Sequence, residues 1–364
     1  MSVTEAQCRR ALRHANIPWD SQVIDSRDSR WVVHPLWGLL GGMSAAFAAG
    51  RKTLRRVEDF LADVGRGARR ALGLTKETPS DTTLYRVVAN QSPKGLAATV
   101  WAQIHDLVAR KVVRNDLLPL GVVTFDGKGT WSSTDTEVPG AKVSSCDSQG
   151  APLWMFGALR ACLTSSSVRP CLTQKLIGSK EGESPAFREL FPEVCQEAGR
   201  LFQVVTGDSG LCARENAEVV RAHDKWYVFG VKGNQPHLHE LAHKRFFHET
   251  SNADVLARTE ERAKGKTVVR ELFALSVRDD RRVDFKDAQQ LWYVRQTTTE
   301  PNGSWAAEQR YFVTAIPEGA LSRDQELSVV RMHWGIESAP QAHGKGGSDD
   351  ELTDCRRQEV SGLF

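Results

Sequence analysis

Three carboxylates stand where a chain could hold divalent cations against a phosphodiester. Asp126 follows the apolar run Val122 to Phe125, Asp208 follows the run Phe202 to Thr206, and Glu337 lies in the segment His333-Trp334-Gly335-Ile336-Glu337. Acids at the carboxyl ends of neighbouring strands can converge although 82 residues separate the first two. Converging carboxylates repel one another unless cations bind between them. Oxygen-only ligation suits Mg²⁺ or Mn²⁺, and two such ions about 4 Å apart stabilise the entering and leaving oxygens of an in-line phosphoryl transfer. Each acid also has an ordinary explanation. Asp126-Gly127 and Asp208-Ser209-Gly210 are turn formers, and an Asp at a strand end commonly closes a turn or caps a helix.

The elements that must position these acids change character along the chain. From Leu54, the residues Leu54, Val57, Phe60, Leu61 and Val64 follow the spacing of a helix with one buried stripe. Pro79-Ser80-Asp81 and Ser92-Pro93 open two further helices, so residues 1–115 read as mostly helical. The Gly- and Ala-rich stretch from Trp37 to Gly50 reads as a buried helix, because about 14 residues are too few to span a bilayer. From Leu117 the texture becomes short β-branched and aromatic runs: Val122 to Phe125, Leu153 to Leu163, and Cys171 to Ile177. A helix is expected from Pro185 to Gly199, a strand from Phe202 to Thr206, a helix from Ala213 to His223 and a strand from Trp226 to Val231. That order is α/β and fits a ribonuclease-H-like core, as it fits other α/β sheets. Beyond Pro236 the pattern loosens, with strands expected over Val268 to Val277, Leu291 to Thr298 and Ala307 to Ile316.

Composition sets bounds on function. The 364 residues are 40% apolar and carry a net charge of +3. Residues 1–120 hold 18 Lys and Arg against 11 Asp and Glu, a net +7 that leaves −4 for the rest. A basic leading part ahead of a mildly acidic body fits DNA contact followed by a metal-binding core, and equally fits a solvated basic surface. Arg51, Lys52, Arg55 and Arg56 are clustered enough to grip phosphates or to solvate an outer helix face. The seven cysteines include no C-x-x-C pair, which argues for reduced thiols and against a disulfide framework. The N-terminus lacks the order of a secretory signal, so a cytoplasmic protein is expected. His237 and His239 have no partner at zinc-ligand spacing.

Four ordered motifs carry a specific resemblance. Thr124-Phe125-Asp126-Gly127-Lys128, Val205-Thr206-Gly207-Asp208, Val231-Lys232-Gly233-Asn234-Gln235-Pro236 and Arg331-Met332-His333-Trp334-Gly335-Ile336-Glu337 resemble the DGK, T-x-D-A, KGNQP and HWxIEN motifs of the ISAs-type, H-repeat-associated insertion-sequence transposases of the DDE superfamily. Asp25-Ser26-Arg27, Pro35-Leu36 and Pro79-Ser80-Asp81-Thr82-Thr83 are similar to that family's helical associated domain, so the likeness runs over residues 20–337.

The resemblance implies a catalytic and metal-binding triad of Asp126, Asp208 and Glu337 with two Mg²⁺ or Mn²⁺ ions. It implies cleavage and strand transfer of double-stranded DNA by a homodimer in a synaptic complex, in the bacterial cytoplasm at the nucleoid. It also implies a domain plan: a DNA-binding helical domain over 1–115, a ribonuclease-H-like core over 116–235, a β-rich insertion over 236–325, and a Glu-bearing helix over 326–340. Lys128, Lys232, Asn234, Gln235, Arg331 and His333 then become candidate DNA contacts. In the residues' own terms the two lysines suit plain surface positions. The two amides suit the turn before Pro236, and His333 suits helix packing.

The chain departs from that family's pattern after the third acid. Ser338 stands where Asn is expected, Pro340 ends a helix at a cost of roughly 3 kcal/mol if forced inside one, and residues 341–364 form a polar, Gly-rich tail of the kind expected to be disordered. Weak or absent strand transfer is the expectation. A DNA-binding transposase remnant without catalysis and a ribonuclease-H-like nuclease stay open as alternatives.

Overall fold

The computed structural model describes residues 23, 25–74, 77–133, 140–146, 150–178, 181–249, 255–263 and 265–338. The tail over 341–364 lies outside the described residues. The chain forms two compact units, one comprising Met1–Val112, Gly129–Phe156 and Pro340–Phe364, the other Val113–Lys128 and Gly157–Ala339.

The first unit is built on helices α1 (Leu36–Ala48), α2 (Leu54–Asp63), α3 (Arg66–Ala71), α4 (Asp81–Ala89) and α5 (Pro93–Ala109). Their starts are written in the sequence. Thr53, Ser80 and Ser92 each cap a free backbone N–H of the first turn with a side-chain oxygen, and Pro93 occupies the first turn of α5. Leu39, Leu40 and Met43 of α1 join Val57, Leu61, Leu84 and Val87 in one buried cluster, each contributing roughly 1.5–3 kcal/mol through burial. The small residues of α1 have a packing reason. A Cβ on Gly38 would lie 2.0 Å from the Leu72 carbonyl oxygen, so only glycine lets the chain pass there.

The second unit is mixed α/β. Its strands are the leading part of β1 (Val122–Ser133), the trailing part of β3 (Pro152–Leu163), β4 (Cys171–Ile177), β5 (Val204–Gly207), β6 (Trp226–Val231), β7 (Ala257–Ala263), β8 (Lys266–Ser276), β9 (Gln290–Thr299) and β10 (Trp305–Thr314). With β2 taken as Lys142–Cys146 of the first unit, these run in the order β4-β3-β1-β5-β6-β10-β9-β8-β7. Strands β1, β5 and β6 are parallel neighbours, and β6 to β7 continue antiparallel. The late strands therefore extend the same sheet, since Tyr311 of β10 pairs with Val231 of β6.

The strand bearing Asp126 does not stop at Phe125, as the apolar run suggests, but continues to Ser133. What ends at Phe125 is its parallel ladder with β5. Residues 236–249, where the pattern loosens, form helix α8 (Pro236–Glu249).

Side-chain alternation sorts the two faces of this sheet. Phe125 packs edge-on against Phe187 of helix α6 (Glu183–Ala198), with ring centroids 4.8 Å apart, and Phe187 meets Phe229 of β6 at 6.3 Å. Val122, Val204 and Val228 share a buried cluster with Leu327 and Val330 of helix α9 (Arg323–Ser338). Helix α7 (Arg214–Ala222) links β5 to β6. The first turn of α9 is anchored by Glu326, fully buried, which accepts from Arg323 at 2.8 Å while Arg323 also donates to Gln290 of β9 at 2.9 Å. Among the described residues no helix is long and apolar enough to cross a membrane.

Candidate active site

Register brings two of the three acids together. In the parallel ladder Val122 faces Val204 and Phe125 faces Gly207, so Asp126 and Asp208 each directly follow the last paired residue of two adjacent strands, whose backbones run roughly 4.7–4.9 Å apart. Each lies two residues beyond a threonine of the same face. Thr206 and Thr124 join their hydroxyls at 2.7 Å, and Thr124 meets Thr164 of the segment following β3 at 2.8 Å. This buried hydroxyl row crosses three neighbouring segments just below the acids and fixes their relative height.

Asp126 is only 9% exposed. Burial pushes its carboxyl above the ordinary carboxylate value, against the pull of the Lys128 ammonium and with a further push from Asp208; Arg160 adds a weaker pull downward. The Lys128 Nζ lies 3.2 Å from Oδ2. The contact is an ion pair, and that buried oxygen has no other polar partner.

The turn after Asp208 is tied from two directions. Asp208 Oδ1 accepts from the Gly210 N–H at 2.9 Å, capping the short 3-10 turn Ser209–Leu211. From below, Asn234 donates its amide to the Ser209 carbonyl, and Gln235 donates to the Cys212 carbonyl at 2.9 Å. Both amides of the Lys232-Gly233-Asn234-Gln235 segment thus hold the backbone that carries Asp208.

A further acid, missed in the sequence, borders the pair. A Cβ on Gly127 would sit 1.9 Å from Glu183 Oε1, and one on Gly210 would sit 2.8 Å from Glu183 Oε2 and 3.2 Å from Asp208 Oδ1. The absence of side chains at Gly127 and Gly210 therefore makes room for the Glu183 carboxylate beside Asp208. The signal was the pair Gly182-Glu183 just ahead of Pro185, where a helix start was already expected.

The remaining expected residues fall as follows. Glu337 is on the backbone of α9, one turn beyond the buried His333, and its side chain lies outside the description. Arg331 pairs with Glu261 of β7. Lys232 is exposed. Arg51, Lys52, Arg55 and Arg56 belong to the first unit and are all exposed where α2 begins. The Arg51 guanidinium lies 5.9 Å from the centre of the Phe60 ring, and Arg51 and Arg56 share an open depression of about 460 Å³ with Asp59 and Asp63. That depression is of mixed charge.

The residues fit divalent ions in two respects: oxygen-only donors, and a buried carboxylate oxygen with no hydrogen-bond partner. Among the described residues, no three His, Cys, Asp or Glu side chains converge closely enough to hold an ion.

Comparison with known proteins adds the following. Among solved structures, the crystal structure of Streptomyces venezuelae DesVI matches at 16% identity and a TM-score of 0.16, over 33% of this chain and 46% of that one. The chain thus spans under half of that protein's length, and a likeness of this size carries no argument about fold. No curated protein matches. Residues 21–102, the helical part from before α1 into α5, match the family described as DDE_Tnp_1-associated, and this match associates the chain with the DDE-type transposases.

Proposed function

We propose that this chain is a DDE-type transposase of the ISAs type, acting on double-stranded DNA at the ends of its own mobile element through a ribonuclease-H-like core. The single observation that carries the reading is the step beyond the Phe125–Gly207 pair, which sets Asp126 and Asp208 side by side at the end of a parallel ladder. The helical associated segment over residues 21–102 supports it.

In this reading Asp126 and Asp208 hold two divalent ions, with Glu337 of α9 as the third acid. Bound there, the ions would supply Lewis acidity to the attacking and departing oxygens of a phosphodiester. Lys128 neutralises the buried Asp126 carboxylate in the free protein and, with Lys232, suits a strand of phosphates. The Thr124–Thr206 hydroxyl contact and the Asn234 and Gln235 amides keep the two acids at one height. Exposed Arg51, Lys52, Arg55 and Arg56 suit DNA backbone contact, and joining two element ends suits a homodimer.

The test is cleavage of a linear duplex carrying the element's terminal sequence, with Mg²⁺, Mn²⁺ or chelator, by the full chain and by Asp126→Ala. The proposal expects slow metal-dependent nicks at the element end, with little strand transfer, absent in the variant, and salt-sensitive binding retained by both. Metal-dependent cleavage that is equal in the variant would overturn the site. Binding with no cleavage in either protein would leave a DNA-binding remnant and overturn the catalytic reading.

A further inference from the structure

Outside that site, two thiols face each other across the hairpin formed by β3 and β4. Cys162 is paired with Cys171 in the antiparallel register. The type of pair follows from its neighbour. Leu163 donates its N–H to the Pro170 carbonyl at 3.0 Å, and proline has no N–H to return. Positions 163 and 170 are therefore the hydrogen-bonding pair, and 162 and 171, one step along, are the non-hydrogen-bonded pair. At such pairs the Cα atoms are about 4.5 Å apart, inside the roughly 4.4–6.8 Å range that a disulfide spans. A bulge between Ala161 and Cys162 leaves Leu172 as the extra residue beside the pair.

The loop that closes the hairpin holds this geometry. Thr164 donates its N–H to the Val122 carbonyl at 2.9 Å, and Arg169 donates to Ser166 at 3.0 Å with its own backbone in the left-handed region at φ 48°. Residue 171 is exposed and residue 162 half-buried, and the Cys171 thiol donates to the Thr173 carbonyl of its own strand at 3.6 Å.

We propose that Cys162 and Cys171 form a reversible disulfide by exchange with a low-molecular-weight disulfide such as oxidised glutathione. The Cys171 thiolate attacks one sulfur of the reagent, forming a mixed disulfide and releasing one glutathione thiolate. Cys162 then loses its proton to solvent and attacks the Cys171 sulfur, releasing the second glutathione. One reagent disulfide is reduced to two thiols as the two cysteines are oxidised to one bond. The electrostatics favour that order. The hydrogen bond from Cys162, with a smaller pull from the charge of Arg160, outweighs burial and holds the Cys171 thiol below its ordinary value, whereas the same bond and burial raise Cys162. The attacking thiolate is thus the one on the more exposed residue. A cross-link of this kind in a reducing compartment is a transient, redox-responsive one, placed here on the strand next to the one that carries Asp126.

The experiment uses the full reduced chain, equilibrated over a series of glutathione ratios, quenched by alkylation and digested with trypsin. Both cysteines lie between Arg160 and Lys175, and the Arg169–Pro170 bond resists the protease, so they travel in one peptide, residues 161–175. The expected product is that peptide lighter by two hydrogens and free of alkyl label. It should revert with dithiothreitol and be absent in Cys171→Ser, while Cys162→Ser should accumulate glutathione on Cys171. Exposed Cys146 reports that the reagent is active. Full alkylation of both residues while Cys146 carries glutathione would overturn the proposal. So would a wild-type chain that stops at the mixed disulfide.

Discussion

Replacing Asp126 with Asn should make the protein more stable while removing its metal response. The size of the effect can be bounded from the site. At an effective dielectric near 20, the Lys128 ammonium 3.2 Å away attracts the Asp126 carboxylate by about 5 kcal/mol, and Asp208 one strand spacing away repels it by about 3 kcal/mol. The pair interactions together favour the charge by about 2 kcal/mol, yet the carboxyl is held above its ordinary value, with burial as the largest cause. Burial must then cost the charge more than about 2 kcal/mol.

Asparagine removes that cost and the repulsion, and Lys128 can turn to water. A net gain of about 0.5–2 kcal/mol is expected, typical of a functional residue relieved of its task, or roughly 2–4 °C per kcal/mol in a unit of this size. The pH dependence has a definite sign. A carboxyl raised on folding binds its proton more tightly in the native state, so its stabilising contribution is present at low pH and is lost as pH rises through the folded value. The advantage of Asp126→Asn should therefore be small at pH 4, close to the ordinary value of 3.8, and grow towards neutral pH. Thermal melts at pH 4 and pH 7, with and without Mg²⁺, measure all of this. Added Mg²⁺ should raise the midpoint of the wild type and leave that of the variant unmoved. A variant less stable than wild type at pH 7 without metal would show that the Asp126 charge is a net structural asset, and the burial argument would fail.

Three other perturbations separate roles that the sequence leaves joined. Substituting Ala for both Asn234 and Gln235 leaves the Ser209 and Cys212 carbonyls without their side-chain donors; it should cost about 1–3 kcal/mol and depress cleavage, with the salt dependence of DNA binding unchanged. Weaker DNA binding at every salt concentration with an unchanged melting temperature would make them DNA contacts instead. Glu326→Ala removes the buried acceptor of Arg323, which keeps Gln290 of β9 and Glu318, and should cost about 1–3 kcal/mol in urea unfolding; no measurable loss would mean that the Glu318–Arg323 pair alone anchors the helix. Neutralising Arg51, Lys52, Arg55 and Arg56 together should reduce the slope of log K against log salt by about 0.9 for each residue that meets a phosphate, and an unchanged slope would assign them to solvation of α2.

How much of this could be read from the chain depends on where each element draws its support. Strands β5 and β6 were visible as apolar runs because they are covered on both faces, so their pattern is written in their own residues. The far part of β1 was not, since Gly127, Lys128 and Gly129 have no strand preference and are held extended by their neighbours. Strand β7, Ala-Arg-Thr-Glu-Glu-Arg-Ala, has four charged residues in seven; it gains its place from cross-strand ion pairs such as Arg270 with Glu261 at 2.8 Å. Helix α8 does carry a stripe, Leu238, Ala242 and Phe246, four residues apart and buried, but the four His residues of the helix, His237, His239, His243 and His248, blur its outline. Glu183 escaped for a different reason. Its role depends on two missing Cβ atoms, at Gly127 and Gly210, far away in the sequence. The same limit applies to the acids themselves. Each one announces a group able to ionise at the end of an apolar run, but a shift of β5 against β1 by one residue would turn Asp208 to the opposite face of the sheet. What prevents that shift is the buried contact of Thr124 with Thr206, two hydroxyls that satisfy each other only when Phe125 lies opposite Gly207.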